Sequence, residues 1–141
     1  MPTGRSDMTA LVDTNVLVYA AGIRTDAERQ QAATQVLDRV RPEACLSLQV
    51  LSEFSAVALR NGLSAAICRT VVAEYQRSWR VLLPSADTLD AALSVVAEHR
   101  LSFWDAMLWA LAHENGLTEI ITEDGPTGAV VGGVLFRNPF D

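Results

Sequence analysis

Apolar residues fall along this chain in two alternating patterns: short runs that stop at a punctuating polar residue, and longer stretches with a helical period. The first run, residues 9–12, stops at Asp13, and a helical pattern over 14–21 follows at once. A turn at 22–25 leads to Asp26, whose carboxylate can accept an unpaired backbone N–H and so cap a helix reaching about Arg41, with Pro42 fitting its termination. Residues 44–48 read as a buried strand. Residues 49–61 read as a helix that Gly62 stops, since glycine takes the left-handed conformation readily. Ser64 opens a further helix to about Arg77. A third apolar run at 81–83 is closed by Pro84, and a helix over 86–100 follows, with apolar side chains at Leu89, Ala92, Leu93, Val96 and Ala97. Ser102 begins another helix to Asn115, which Gly116 ends. Residues 119–122 supply a fourth strand, 125–133 a glycine-rich loop, and 134–137 a fifth strand expected at the sheet edge.

Short apolar strands separated by helices point to a parallel sheet covered on both faces, because parallel strands need crossover connections. The pattern predicts an α/β fold: a three-layer α/β/α sandwich around a central parallel sheet of four to five strands. At 141 residues the chain fits one domain. Residues 1–7 are polar and contain Pro and Gly, so they are expected as a disordered leader before a domain spanning 8–141. No internal repeat or low-complexity segment interrupts it.

Charge changes the picture in one respect. The net charge is −6 and all 11 basic residues are arginine. An acidic chain does not hold nucleic acid through a broad basic surface, so any such partner is engaged locally or with metal assistance. Cys45 and Cys68 sit in apolar stretches outside any metal-binding spacing and read as buried thiols. The most apolar run, 101–112, is too short to span a bilayer, and no secretory pattern is visible near the N-terminus, so a cytoplasmic protein is expected.

The candidate chemistry lies in the acids. Asp13 and Asp124 each follow a predicted strand, and ligands of open parallel sheets bind beyond the carboxyl ends of the strands. Asp13 equally suits the N-cap of the helix at Thr14. Asp105 is the only charge between Leu101 and Ala112 in a helix that is apolar nearly all round and expected to be buried; a carboxylate there needs a hydrogen bond, a partner or a metal. Ser102 and Asp105 also have the spacing of a capping box, and the two roles can coexist. Glu53 lies roughly 100° from the centre of the apolar stripe of its helix, at the edge of the buried face, where a solvated glutamate is the ordinary reading. Glu123 is a second candidate beside Asp124, but neighbours at a strand end point in opposite directions, so one of the pair faces the site.

Carboxylates converging on one rim repel unless something compensates them. A hard divalent cation does so, and a donor set of oxygens without Cys or His suits Mg²⁺ or Mn²⁺. Such a site can activate water and polarise a phosphodiester. Thr14, Asn15 and Thr122 are polar neighbours suited to orienting the acids.

The segments LVDTNVLVY (11–19), LSEF (51–54), LSFWDAML (101–108) and ITED (121–124), with the closing GGVLFRNPF (132–140), resemble the successive motifs of PIN domains, particularly VapC-type toxins. Each motif is short; their order and spacing together are specific. The resemblance implies a metal-dependent endoribonuclease cutting single-stranded or loop regions of structured RNA, the toxin of a toxin–antitoxin pair, usually a homodimer. It implies an acidic quartet of Asp13, Glu53, Asp105 and Asp124, with Asp13 and Asp105 as principal metal ligands and Glu53 and Asp124 holding the water that attacks phosphorus. Thr14 or Asn15, and Thr122, support them. It also implies a VapB-like antitoxin with a basic segment that blocks the acidic site, which accounts for the acidity of the chain.

Phe103, Trp104 and Trp109 are read as core or dimer-interface residues rather than base-stacking groups. RNA contacts fall to arginines near the rim, among Arg24, Arg60 and Arg100. His99 and His113 lie on helices without partner ligands and read as surface or satisfied residues. A receiver domain and a haloacid-dehalogenase-type phosphatase both require a lysine that this chain lacks, and the second also requires an aspartate where Asn15 stands. The remaining rival is a catalytically silent PIN-like binding module acting through a protein partner.

Overall fold

Each of the six α-helices among the described residues starts at an Asp or Ser whose side chain accepts a backbone N–H at the start of the helix, which fixes where the chain turns from strand or loop into helix. The caps are Asp13 for α1 (Thr14–Ala20), Asp26 for α2 (Ala27–Val40), Ser47 for α3 (Leu48–Arg60), Ser64 for α4 (Ala65–Ser78), Ser85 for α5 (Ala86–Glu98) and Ser102 for α6 (Phe103–Glu114). Gly62 and Gly116, the expected terminators of α3 and α6, have φ of 98° and 71°. The computed structural model describes residues 9–141, and the expected leader at 1–7 lies outside the described residues.

Between the helices run β1 (Ala10–Val12), β2 (Ala44–Ser47), β3 (Arg80–Leu82), β4 (Glu119–Ile121), β5 (Val130–Val131) and β6 (Val134–Arg137). They form one sheet in the order β3-β2-β1-β4-β6-β5, parallel throughout except for the β5/β6 pair. The parallel strands and their flanking helices make the expected α/β/α sandwich. Residues 134–137 differ from expectation in one way: β6 lies between β4 and β5, and the two-residue β5 forms the edge. The glycine-rich loop makes that possible, since Gly132 and Gly133 both take positive φ (52° and 82°) and turn the chain back as a tight hairpin.

β1, β2 and β4 are buried along their whole length, as strands covered on both faces must be. Leu11, Leu46, Ile120 and Ile121 meet Leu17, Leu51, Phe54 and Phe136 in a single core. The chain leaves β1 for β2 and β3 on one side and returns to β4 on the other. β1 and β4 are therefore the two sides of a topological switch point, where the outgoing connections diverge and leave a crevice at the carboxyl ends of the strands.

Candidate active site

Strand register decides what meets in that crevice. Val12 pairs with Ile121, so the residues just past the two strands, Asp13 and Thr122, lie side by side. The Asp13 N–H donates to the Ile121 carbonyl at 2.9 Å, extending the ladder one step past the strand. The Asp13 carboxylate turns back over the start of α1: Oδ1 accepts the Thr14 N–H at 2.7 Å, and Oδ2 accepts the Thr122 hydroxyl at 2.8 Å. Capping and site placement thus coincide in this residue.

The other acids arrive from separate elements. Asp105 stands in the first turn of α6, where its N–H is capped by Ser102 Oγ at 3.1 Å. Glu53 sits exposed on α3, one turn in from the Ser47 cap, and its Oε1 accepts the Thr14 hydroxyl at 3.0 Å. Asp124, on the turn after β4, accepts the Asn15 side-chain amide at 2.8 Å. Thr14, Asn15 and Thr122 each donate to one of the acids.

Electrostatics tie three of these carboxylates together. Burial pushes Asp13 above the ordinary carboxylate value of 3.8; hydrogen bonds from Thr14 and Thr122 oppose the rise, and the Asp124 charge adds to it. Burial also raises Asp105, opposed by Ser102 and reinforced by the charges of Asp13 and Asp124. Glu53 joins the group through the Thr14 hydroxyl.

Among the described residues no group of three or more His, Cys, Asp or Glu side chains closes into a cage that would hold a cation unaided. The donor chemistry nonetheless fits Mg²⁺ or Mn²⁺: these ions are bound through one or two carboxylates while keeping water and taking phosphate oxygens. Asp13 and Asp105 are desolvated and face like charge, so a cation between them would relieve a repulsion the chain itself leaves standing.

The model of the PIN domain family matches residues 10–125. The chain belongs to the PIN-domain family. No curated protein matches it significantly. Among solved structures, the PIN chain is similar to one from a toxin–antitoxin complex of Klebsiella pneumoniae, with a TM-score of 0.71 and 23% identity over 93% of this chain and 98% of that one. It is also similar to Mycobacterium tuberculosis VapC20, described as a sarcin-ricin loop cleaving toxin, with a TM-score of 0.67 and 24% identity over 84% and 92%. A third similar structure is VapBC2 of Rickettsia felis bound to a fragment of its promoter DNA, with a TM-score of 0.66 and 13% identity over 93% and 98%. Identities this low establish a shared PIN fold.

Within this PIN domain, Glu123 and Asp124 do not point in opposite directions as expected of neighbours at a strand end, because both lie in the turn past β4 and reach the same Asn15 amide. Glu123 accepts the Tyr19 hydroxyl at 2.6 Å, pairs with Arg29 and lies 3.5 Å from the Asn15 amide. That hydrogen bond, with burial second, pushes the Tyr19 phenol above its ordinary value. Tyr19 and Arg29 were not singled out in the sequence. The i,i+4 spacing of Asn15 and Tyr19 on one helix face was the available signal.

The expectation that α6 is buried all round is corrected at its first turn. Phe103 and Trp104, the first two residues of α6, are 36% and 58% exposed and pack edge to face on each other. Trp109 does pack against the core, donating from Nε1 to the Val131 carbonyl at 2.8 Å and stacking on His113. Arg24, Arg60, Arg100 and His99 are exposed, and both cysteines are buried and free.

Proposed function

We propose that this PIN domain is a VapC-type endoribonuclease, dependent on Mg²⁺ or Mn²⁺, that hydrolyses phosphodiester bonds in structured RNA as the toxin of a toxin–antitoxin pair. One observation carries the reading: at the topological switch point of a PIN fold, Thr122, Asn15 and Thr14 hold Asp13, Asp124 and Glu53 by hydrogen bonds, and the charges of Asp13 and Asp124 act on Asp105 in the first turn of α6. The described action of VapC20 on the sarcin-ricin loop supports structured RNA as the substrate class. The complexes among the similar structures support an antitoxin as partner, and the net charge of −6 suits a basic inhibitory segment laid over the acids.

In this reading Asp13 and Asp105 hold the cation, with Glu53 and Asp124 beside them. A divalent ion there supplies charge stabilisation at the phosphate and lowers the pKa of water. The chain contributes orientation. Thr14 and Thr122 fix both oxygens of Asp13, Asn15 fixes Asp124, and Thr14 spans the gap between α1 and Glu53. Asp124 and Glu53 accept the proton of the attacking water or align it.

A homodimer is part of the same proposal. α5 presents Leu89, Leu93 and Val96, 43%, 54% and 36% exposed, as an apolar stripe at helical spacing that a second copy would cover. No helix among the described residues is long and apolar enough to cross a membrane, which is compatible with action in the cytoplasm, where RNA is found.

The test is cleavage of structured RNA by purified protein in Mg²⁺ or Mn²⁺, against EDTA and against Asp13→Asn. Cleavage that needs the metal and is lost in the variant supports the proposal. A folded wild type that cleaves nothing in either metal, yet binds a small partner protein, would favour the catalytically silent module instead.

A further inference from the structure

Glu123 is the hub of contacts that the acidic rim does not account for. Its Oε1 accepts from the Tyr19 hydroxyl at 2.6 Å and lies 3.5 Å from Asn15 Nδ2, while Oε2 pairs with the Arg29 guanidinium. Arg29 in turn lies over two rings, 5.4 Å from the centre of Tyr19 and 5.1 Å from that of Phe140, and those rings meet edge to face at 5.7 Å. Asn138 Nδ2 reaches the Glu123 carbonyl at 3.5 Å. α1 and α2 thus meet at the Glu123 carboxylate, and the C-terminal stretch adds contacts to the Glu123 backbone and to the Arg29 and Tyr19 side chains.

The distances at Asn15 say what this convergence does. Its amide nitrogen is 2.8 Å from Asp124 Oδ2 and 3.5 Å from Glu123 Oε1, so its strong bond goes to Asp124 and its weak one to Glu123. Glu123 directs the amide between two adjacent carboxylates. Arg29 neutralises Glu123 and holds it back, so that a second acid of the same turn neither adds its charge to the rim nor swings forward to compete with Asp124.

We infer that Arg29, Tyr19 and Glu123 act as one positioning unit that aims Asn15, and through it the Asp124 carboxylate, at the reaction site. The inference rests on the proposed nuclease reading for its activity readout and on geometry alone for the others. All three act through Asn15.

Arg29→Gln and Arg29→Lys, with Glu123→Gln and the Arg29→Gln/Glu123→Gln double variant, test it. Arg29→Gln is expected to lower kcat about tenfold with KM for RNA nearly unchanged, and to weaken Mn²⁺ binding measured by calorimetry, the usual size of effect for a group that orients a ligand. Arg29→Lys, which keeps the charge, should recover most of the loss. The double variant should be no worse than the poorer single one, since the residues act as a unit. In metal-free protein the Asn15 side-chain amide resonance should move in Arg29→Gln. Wild-type kcat and Mn²⁺ affinity in a variant that only melts lower would reduce the unit to a structural clasp and overturn the inference, as would additive losses in the double variant. If wild-type protein cleaves no RNA, the nuclease reading fails by itself, and the amide shift and Mn²⁺ affinity still decide whether Arg29 positions the site.

Discussion

Thr122 Oγ1 donates to Asp13 Oδ2 at 2.8 Å, joining the carboxyl ends of β4 and β1 through side chains where the backbone ladder stops. Thr122 is 1% exposed, so no water replaces the bond if the hydroxyl is lost. Thr122→Val keeps the shape and removes the donor. It is expected to lower RNA cleavage about tenfold, the usual cost of an orienting partner. Stability should fall by about 1 kcal/mol, the net worth of one such bond. Single-turnover cleavage and urea unfolding check the two effects separately, and an unchanged cleavage rate would remove Thr122 from the support of Asp13.

Gly125 sits against the same hydroxyl residue. A Cβ at this position would lie 2.7 Å from Thr122 Cγ2, closer than such atoms approach, and 3.2 Å from the Phe136 ring, a tight contact. Gly125→Ala therefore pushes on a side chain that already serves Asp13. The expected outcome is a stability loss of about 1–3 kcal/mol, the range for overpacking a filled site. Cleavage should fall alongside it. Thermal melting and the cleavage rate of the folded fraction measure both; a variant as stable and as active as wild type would show that the turn gives way freely.

Asp105→Asn separates helix capping from metal chemistry. Ser102 Oγ accepts the Asp105 backbone N–H, which the substitution leaves in place, so the cap survives. The variant is expected to stay folded and to lose about a hundredfold or more of its cleavage in Mg²⁺, because an amide is a poorer ligand for a hard cation than a carboxylate. Circular dichroism and RNA cleavage decide it: loss of the fold would make Asp105 structural, and full activity would take it out of the mechanism.

Burial raises Asp13 and Asp105 above 3.8, and the neighbouring carboxylates add to the rise. An acid with a raised folded-state pKa favours folding while protonated; that contribution is complete below the unfolded value and is lost as pH climbs through the folded one. At neutral pH without metal, both groups therefore count against the fold. Asp13→Asn can still accept the Thr14 N–H and donate toward the Thr122 hydroxyl, and it carries no charge. In EDTA it is expected to melt above wild type at about pH 7, with the gap closing as pH falls toward about 4, the unfolded value. Millimolar Mg²⁺ should raise the wild-type melting temperature more than the variant's. Scanning fluorimetry across pH checks this, and a gap that widens on acidification would contradict the assigned shifts.

At the candidate site, Asp13 was suggested by an acid directly after an apolar strand run, Asp124 by the turn that follows the fourth strand, and Asp105 by standing alone in an apolar helix. Glu53 was legible only by its angular position and by resemblance; its link to the site, through Thr14, is a contact between residues 39 apart that no local pattern encodes. The Arg29–Glu123 pair spans 94 positions and was hidden for the same reason. The apolar run over 101–112 suggested burial of Phe103 and Trp104, which are exposed, because the burial of a helix end depends on what packs against it, which hydropathy does not record. The short β5 was read as loop, since two residues carry no periodicity and the hairpin depends on the φ values of Gly132 and Gly133.

Leu93 is the most exposed of the three apolar residues on the α5 stripe, at 54%, between Leu89 and Val96 at i−4 and i+3. A glutamate there meets only water in a monomer but is desolvated without a partner in a dimer, so the same substitution separates the two states. Because an exposed position contributes little to the fold, Leu93→Glu is expected to shift monomer stability by no more than about 0.5 kcal/mol. If the stripe is the proposed contact between copies, wild-type protein sediments as a dimer at micromolar concentration and Leu93→Glu as a monomer, while the variant's near-ultraviolet spectrum stays that of folded protein. A Leu93→Glu protein that still sediments as a dimer would move the interface to another face, and a wild type that is monomeric throughout would end the dimer proposal.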